Sequence, residues 1–141
     1  MNSRSLYWCL RLGIAVIWLW TAYVSWYVFP HAASLEWLRR SGITYQTETV
    51  FGASCLLDLA MGVASCLFGR AWLWWLQCAL VLGYTVVIAV ALPEFLTHPF
   101  GPIVKNIAVL LCLVMLALAD SAEDVAVSMT EATHSSRRPF S

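Results

Sequence analysis

Between Arg11 and Glu36, and again between Arg70 and Glu94, the chain carries no Asp, Glu, Lys or Arg. The hydrocarbon core of a bilayer is about 30 Å thick and takes about 20 mostly apolar helical residues to cross, so two such runs read as membrane spans. Leu12 to Phe29 is the apolar part of the first, ahead of Pro30, and Ala71 to Leu92 fills the second, ahead of Pro93. A second apolar run, Thr49 to Gly69, is interrupted only by Asp58, and about 20 apolar residues offset the few kcal/mol that one ionisable group costs on insertion. A further run, Ile103 to Ala119, holds Lys105 near its start, where a long side chain can reach back to the interface. The expected fold is therefore all-α: four transmembrane helices over 12–29, 49–69, 71–92 and 103–119 in one domain, residues 1–119.

The rest of the chain fits that reading. Of 141 residues 61% are hydrophobic and 11% charged, against roughly a quarter charged in a soluble domain. With no net charge there is no footprint for nucleic acid, and the partner implied is the lipid bilayer. Pro30 and Pro93 end helices, because proline lacks the amide donor and clashes with the preceding turn. Pro99, Gly101 and Pro102 make a tight re-entry turn, with Pro102 suited to a first helical turn. Gly69 and Arg70 leave room only for a short hairpin, while Pro30 to Glu48 has space for a short amphipathic stretch around Leu35, Trp37, Leu38, Arg39 and Arg40. Residues 120–141, rich in Ser and Thr, are expected to be disordered. The first apolar run is too long and too rich in Trp for a cleaved signal peptide. Arg4, Arg11 and Arg70 outweigh Arg39, Arg40 and Lys105 only with the distant Arg137 and Arg138 added, a small bias toward both termini in the cytoplasm. Tyr7, Trp8, Trp72, Trp74 and Trp75 read as an aromatic belt at one interface, and Trp18 and Trp20 as packing or lipid-contact residues.

The second span is the most informative. At 100° per residue Glu48, Gly52, Cys55, Asp58, Gly62, Ser65, Cys66 and Gly69 share one face, with Leu59 inside it. Small residues let membrane helices approach closely, so this face is expected to look inward and to take Asp58 with it. Asp58 lies about 15 Å past Glu48 along the axis, near the midplane, where an ionisable group is a functional candidate by default. The alternative is a neutral Asp that hydrogen-bonds a neighbouring helix. A lysine stem spans about 6 Å against a depth gap near 12 Å, so Lys105 is better matched to Glu48 and Glu94; Glu48, Glu94, His98, Lys105 and Asn106 read either as an outer polar cluster or, the more frequent case for such positions, as solvated loop ends. The cysteines, Cys9, Cys55, Cys66, Cys78 and Cys112, form no CxxC pair, and His31, His98 and His134 are scattered, so no metal site is expected. Phosphate-loop, nucleophile-elbow and dinucleotide motifs are missing, and no catalytic residue can be named.

The segment His98-Pro99-Phe100-Gly101-Pro102-Ile103-Val104-Lys105-Asn106 resembles a signature of the DoxX-like family of small four-helix membrane proteins, and Leu57-Asp58-Leu59-Ala60-Met61-Gly62 is similar to a family pattern with an acid, often Glu, ahead of a glycine. The resemblance covers roughly Arg11 to Ala119. It implies a multi-pass protein of a bacterial inner membrane, and relatives in the wider superfamily include a subunit of a thiosulfate:quinone oxidoreductase and membrane components of redox-stress complexes. Two expectations of different class follow. In one, the protein is a non-catalytic subunit or anchor for a soluble oxidoreductase or epimerase-like enzyme. In the other, it is a quinone-linked redox component, with Asp58 as an intramembrane proton site and His98 or Lys105 near the quinone. A small-solute transporter, formed as a homo-oligomer, is a third.

Overall fold

The computed structural model describes residues 2–94 and 102–136 of the chain. Helix α1 spans Ser3–Tyr23 and runs on into a π-helical segment, Val24–Val28; α2 spans His31–Arg40, α3 Thr47–Leu67, α4 Ala71–Ala91 and α5 Pro102–Ser136. Four of these, α1 with its π segment, α3, α4 and α5, are long and apolar enough to cross a membrane, and no strand occurs among the described residues. Most of their bulky apolar side chains face outward, among them Val16, Trp20, Leu56, Val90 and Leu111. An outward apolar surface of this extent suits hydrocarbon and not water.

Local chemistry sets the breaks. At the end of α1 the amide of Phe29 bonds the carbonyl of Val24, five residues back, and Pro30 then opens α2. Gly42 and Gln46 take positive φ, 89° and 51°, and turn the chain into α3. Phe68–Arg70 is extended and joins α3 to α4 in three residues, one more than the expected hairpin. α4 stops at Ala91 because Leu92 precedes Pro93 and is pushed out of the helical region.

The last helix corrects the sequence reading. A disordered tail was expected from residue 120, yet α5 continues to Ser136, 35 residues and about 52 Å in all. No Gly or Pro follows Pro102 until Pro139, so nothing local breaks the helix. The hydroxyls of Ser121, Ser128 and Thr130 fold back onto carbonyls one turn earlier.

α1 packs along α3, α4 packs along α5, and α1 also touches α5, while α3 and α4 meet much less although they are consecutive. The main core joins α1, α4 and α5 through Ile14, Trp18, Trp74, Val81, Leu113, Leu116 and Ala117. A smaller one, Leu35, Phe51 and Cys55, fastens α2 to α3. α1 and α3 approach closely at Gly62, where a Cβ would come within 2.7 Å of the Leu19 side chain and 3.1 Å of its backbone nitrogen.

Candidate intramembrane polar site

The inward face of α3 is Thr47, Phe51, Cys55, Asp58, Gly62 and Ser65, spaced by three and four residues as a helix face requires. Half of the predicted face is there. Cys66, Leu59 and Glu48 instead point outward, because the contact with α1 is narrower than the arc of small residues. Asp58 is 6% exposed, and with nine residues to Leu67 and eleven to Thr47 it lies near the middle of α3, about 14 and 16 Å from its ends. The Tyr84 hydroxyl of α4 donates to Asp58 Oδ1 at 3.4 Å, a long bond for an O–H···O pair. Tyr84 sits higher in the membrane than Asp58, and its side chain leans back toward the start of α4, as helical side chains do. The pair offers a carboxyl and a phenol between two helices that otherwise touch little, groups able to hold and exchange a proton.

Below this pair a layer of buried polar groups binds three helices. The indole N–H of Trp18 donates to Gln77 Oε1 at 2.7 Å, Gln77 Nε2 donates to Ser65 Oγ at 2.9 Å, and Ser65 Oγ donates to the Met61 carbonyl at 2.8 Å. Gln77 and Ser65 are completely buried. Arg11, also buried, donates from Nε to the Ser65 carbonyl at 2.7 Å and from Nη2 to the Cys66 carbonyl at 3.0 Å, with its guanidinium 4.7 Å from the Trp8 ring centre. It thereby satisfies orphan carbonyls at the C-terminus of α3, the negative end of that helix dipole. One turn further out, Trp74 Nε1 and the Tyr7 hydroxyl both donate to Asp120 Oδ2, at 2.6 and 3.2 Å. Every buried side-chain nitrogen and oxygen among the described residues has a partner.

At the opposite end the two acids take partners other than Lys105. Glu48 pairs with His31 at 2.8 Å and Glu94 with Arg40 at 2.6 Å, both partners coming from α2, which folds back over this end. Lys105 is exposed and meets neither acid, and Asn106 donates to Thr85 Oγ1 at 2.8 Å. The Glu94 carboxyl is held below its ordinary range, first by its own backbone amide and then by Arg40. Pro102 begins α5, while His98, Pro99, Phe100 and Gly101 lie outside the described residues.

The sequence reading missed Gln77, Arg11, Tyr84 and Asp120 as structural partners, and it put Trp74 in the interfacial belt although that ring is fully buried. An amide inside an otherwise apolar run was a usable signal for Gln77, and an acid one residue past a span was one for Asp120. Nothing in the sequence told Arg11 from a flanking charge.

A groove of about 660 Å³ lies beside the site, between the upper halves of α1 and α3, walled by Leu19, Tyr23, Trp26, Gly52, Cys55 and Leu59 among others. The π segment supplies Trp26, which stacks on Phe51 with ring centres 6.1 Å apart. Cys55 and Leu59 flank Asp58 along α3. Among the described residues there is no group of three His, Cys, Asp or Glu side chains placed to hold a metal ion.

The model of the DoxX-like family matches residues 15–116, most of the chain. The chain belongs to the DoxX-like family. In this DoxX-like protein the match takes in Asp58, Tyr84, Ser65, Gln77 and Asn106, and leaves Tyr7, Arg11 and Asp120 outside it. No curated protein and no solved structure matches the chain. Family and fold together make it a multi-pass membrane protein.

Proposed function

We propose that this DoxX-like protein is a non-catalytic membrane subunit that anchors a soluble oxidoreductase or epimerase-like enzyme at a bacterial inner membrane, with both termini in the cytoplasm. The observation that carries the reading is the length of α5. Asp120 is the last buried residue of α5 among those whose side chains are described, the helix runs about 24 Å further, and it presents Glu123 and Asp124 exposed on one side. A rigid acidic rod rising from a membrane domain is suited to hold a basic surface of a soluble partner. The buried polar groups support the same reading, since Arg11, Ser65, Gln77, Trp74 and Asp120 are spent on holding helices together.

The test is gentle affinity purification of the full chain from its native membrane. A soluble oxidoreductase in stoichiometric amount, released by Glu123→Lys with Asp124→Lys and retained by Asp58→Asn, is the expected result. Loss of the partner on Asp58→Asn alone overturns the reading.

The groove favours a second reading, in which a quinone-class compound enters from the bilayer between α1 and α3 and Asp58 exchanges its proton. Aromatic walls, lateral opening and a neighbouring carboxyl suit a lipophilic ring with a polar head. A quinone analogue should then quench the fluorescence of the intact protein, and Trp26→Ala should abolish the binding. Equal binding to both proteins refutes it.

A further inference from the structure

α3 and α4 meet little although three residues join them, and a second groove, of about 380 Å³, opens between their linked halves. Ala60 and Ala64 line it from α3, small side chains that leave the space open, and Leu76 lines it from α4. Phe68, Arg70 and Trp72 stand at the end nearest the link. That end has a definite level. α3 and α4 have 21 residues each, about 30 Å of helix and so about the thickness of the hydrocarbon core, which puts the link between them at an interface, the one on the side of the termini. From Phe68 to Ala60 is about 12 Å along the axis, most of the roughly 15 Å that one leaflet contributes to that core.

The donors at this end are free. Arg70 is exposed, and among the described residues no acid pairs with its guanidinium and nothing hydrogen-bonds it. Arg11, at the same end, is committed to the carbonyls of Ser65 and Cys66, and Asp120 is taken by Trp74 and Tyr7. The indole of Trp72, 60% exposed, has no acceptor in the protein either, and α4 begins beside it with no side-chain cap and no acid in its first turn. A guanidinium is always charged and binds phosphate through two parallel bonds. The larger groove, at the other end of α3, has no basic side chain in its walls.

We infer that this second groove holds one anionic phospholipid, with its phosphate on Arg70 and one acyl chain running between α3 and α4 as far as Ala60. A site that starts at a cation on the interface and continues as an apolar slot to near the midplane fits a molecule built in the same order. Basic pockets between membrane helices bind acidic head groups in this way. A zwitterionic lipid would set its own cation beside Arg70, and a free phosphate would leave the slot unused.

The experiment is native mass spectrometry of the full purified chain in mild detergent with equal amounts of phosphatidylglycerol and phosphatidylcholine of the same acyl chains. The expected result is one retained phosphatidylglycerol per chain, preferred about fivefold, as one arginine at the surface provides. Arg70→Gln should abolish the preference, and Arg4→Gln, an exposed arginine at the same end, should keep it. Ala60→Leu with Ala64→Leu fills the slot while sparing the charge and should lose the lipid, with helical circular dichroism retained in every variant. Equal retention of the two lipids by the wild type overturns the inference, as does a preference that survives Arg70→Gln or falls equally with Arg4→Gln. Lipid still held by the filled slot, or a lipid-free dimer in the same spectra, overturns it too. Failure here leaves the anchoring reading untouched, because that reading rests on α5 and is tested by co-purification.

Discussion

Gln77 is the point at which the helix packing can be tested most sharply. It is fully buried, takes the indole N–H of Trp18 at 2.7 Å and gives its own amide to Ser65 at 2.9 Å, so it ties α4 to α1 and α3 at once. Gln77→Leu leaves the Trp18 N–H, on a side chain 5% exposed, with no acceptor. A stranded buried donor costs about 1–3 kcal/mol. Hydrogen bonds inside membranes measured by double-mutant cycles average about 0.6 kcal/mol and reach about 1.7, because the unfolded chain in the membrane also finds partners. Short geometry and complete burial place this bond in the upper half of that range, at about 1 kcal/mol of coupling, or about fivefold in the unfolding constant. The cycle is wild type, Gln77→Leu, Trp18→Phe and the double variant, unfolded by SDS titration and followed by far-ultraviolet circular dichroism so that loss of the indole does not affect the signal. The double variant should be less destabilised than the sum of the singles. Additivity within about 0.3 kcal/mol would refute the assignment of this bond.

Three other perturbations separate local from tertiary effects. Gly62→Ala drives a Cβ into Leu19 and should destabilise the fold by about 1–2 kcal/mol even after its gain in helix propensity, whereas Gly83→Ala, with nothing within 4 Å, should stabilise by up to about 1 kcal/mol; the same SDS titration reads both, and equal signs would refute the close approach of α1 and α3. Arg11→Met removes two charge-assisted bonds to the last carbonyls of α3 and should cost about 2–4 kcal/mol, with faster amide hydrogen exchange confined at first to the end of α3 and the link to α4. Glu94 has a lowered pKa in the folded protein, so whatever it adds to the hold of α2 is fully present above the ordinary carboxylate range and is lost as pH falls through that lowered value. In a carboxyl-carbon NMR titration its midpoint should rise in Arg40→Gln without reaching the free value, because its own amide still holds it; an unchanged midpoint would mean the Arg40 contact is not formed in solution.

The four spans were legible because hydropathy over about 20 residues is a local property that the bilayer reads directly, and the family because the segment from His98 to Asn106 is a contiguous signature. Asp58 could be placed inward from the arc of Cys55, Gly62 and Ser65, since helical geometry alone puts those residues on one face. Partners were not legible in the same way. Glu48 and Glu94 could be matched to Lys105 in depth, but depth does not say which helix stands next to which, and the short helix α2 brought His31 and Arg40 to them first.

The sequence by itself determined the number of spans, their breaks at Pro30, Pro93 and around Gly69 and Arg70, and the inward set Cys55, Asp58, Gly62 and Ser65 on α3. The tertiary structure alone decided that α1 lies along α3 and α4 along α5, and with that the use of Arg11, Gln77 and Asp120 as ties between helices. The physical reason is range. An apolar run meets lipid wherever it stands, so its local pattern suffices, whereas a buried polar group is satisfied only by a donor or acceptor that packing carries to it from a distant part of the chain.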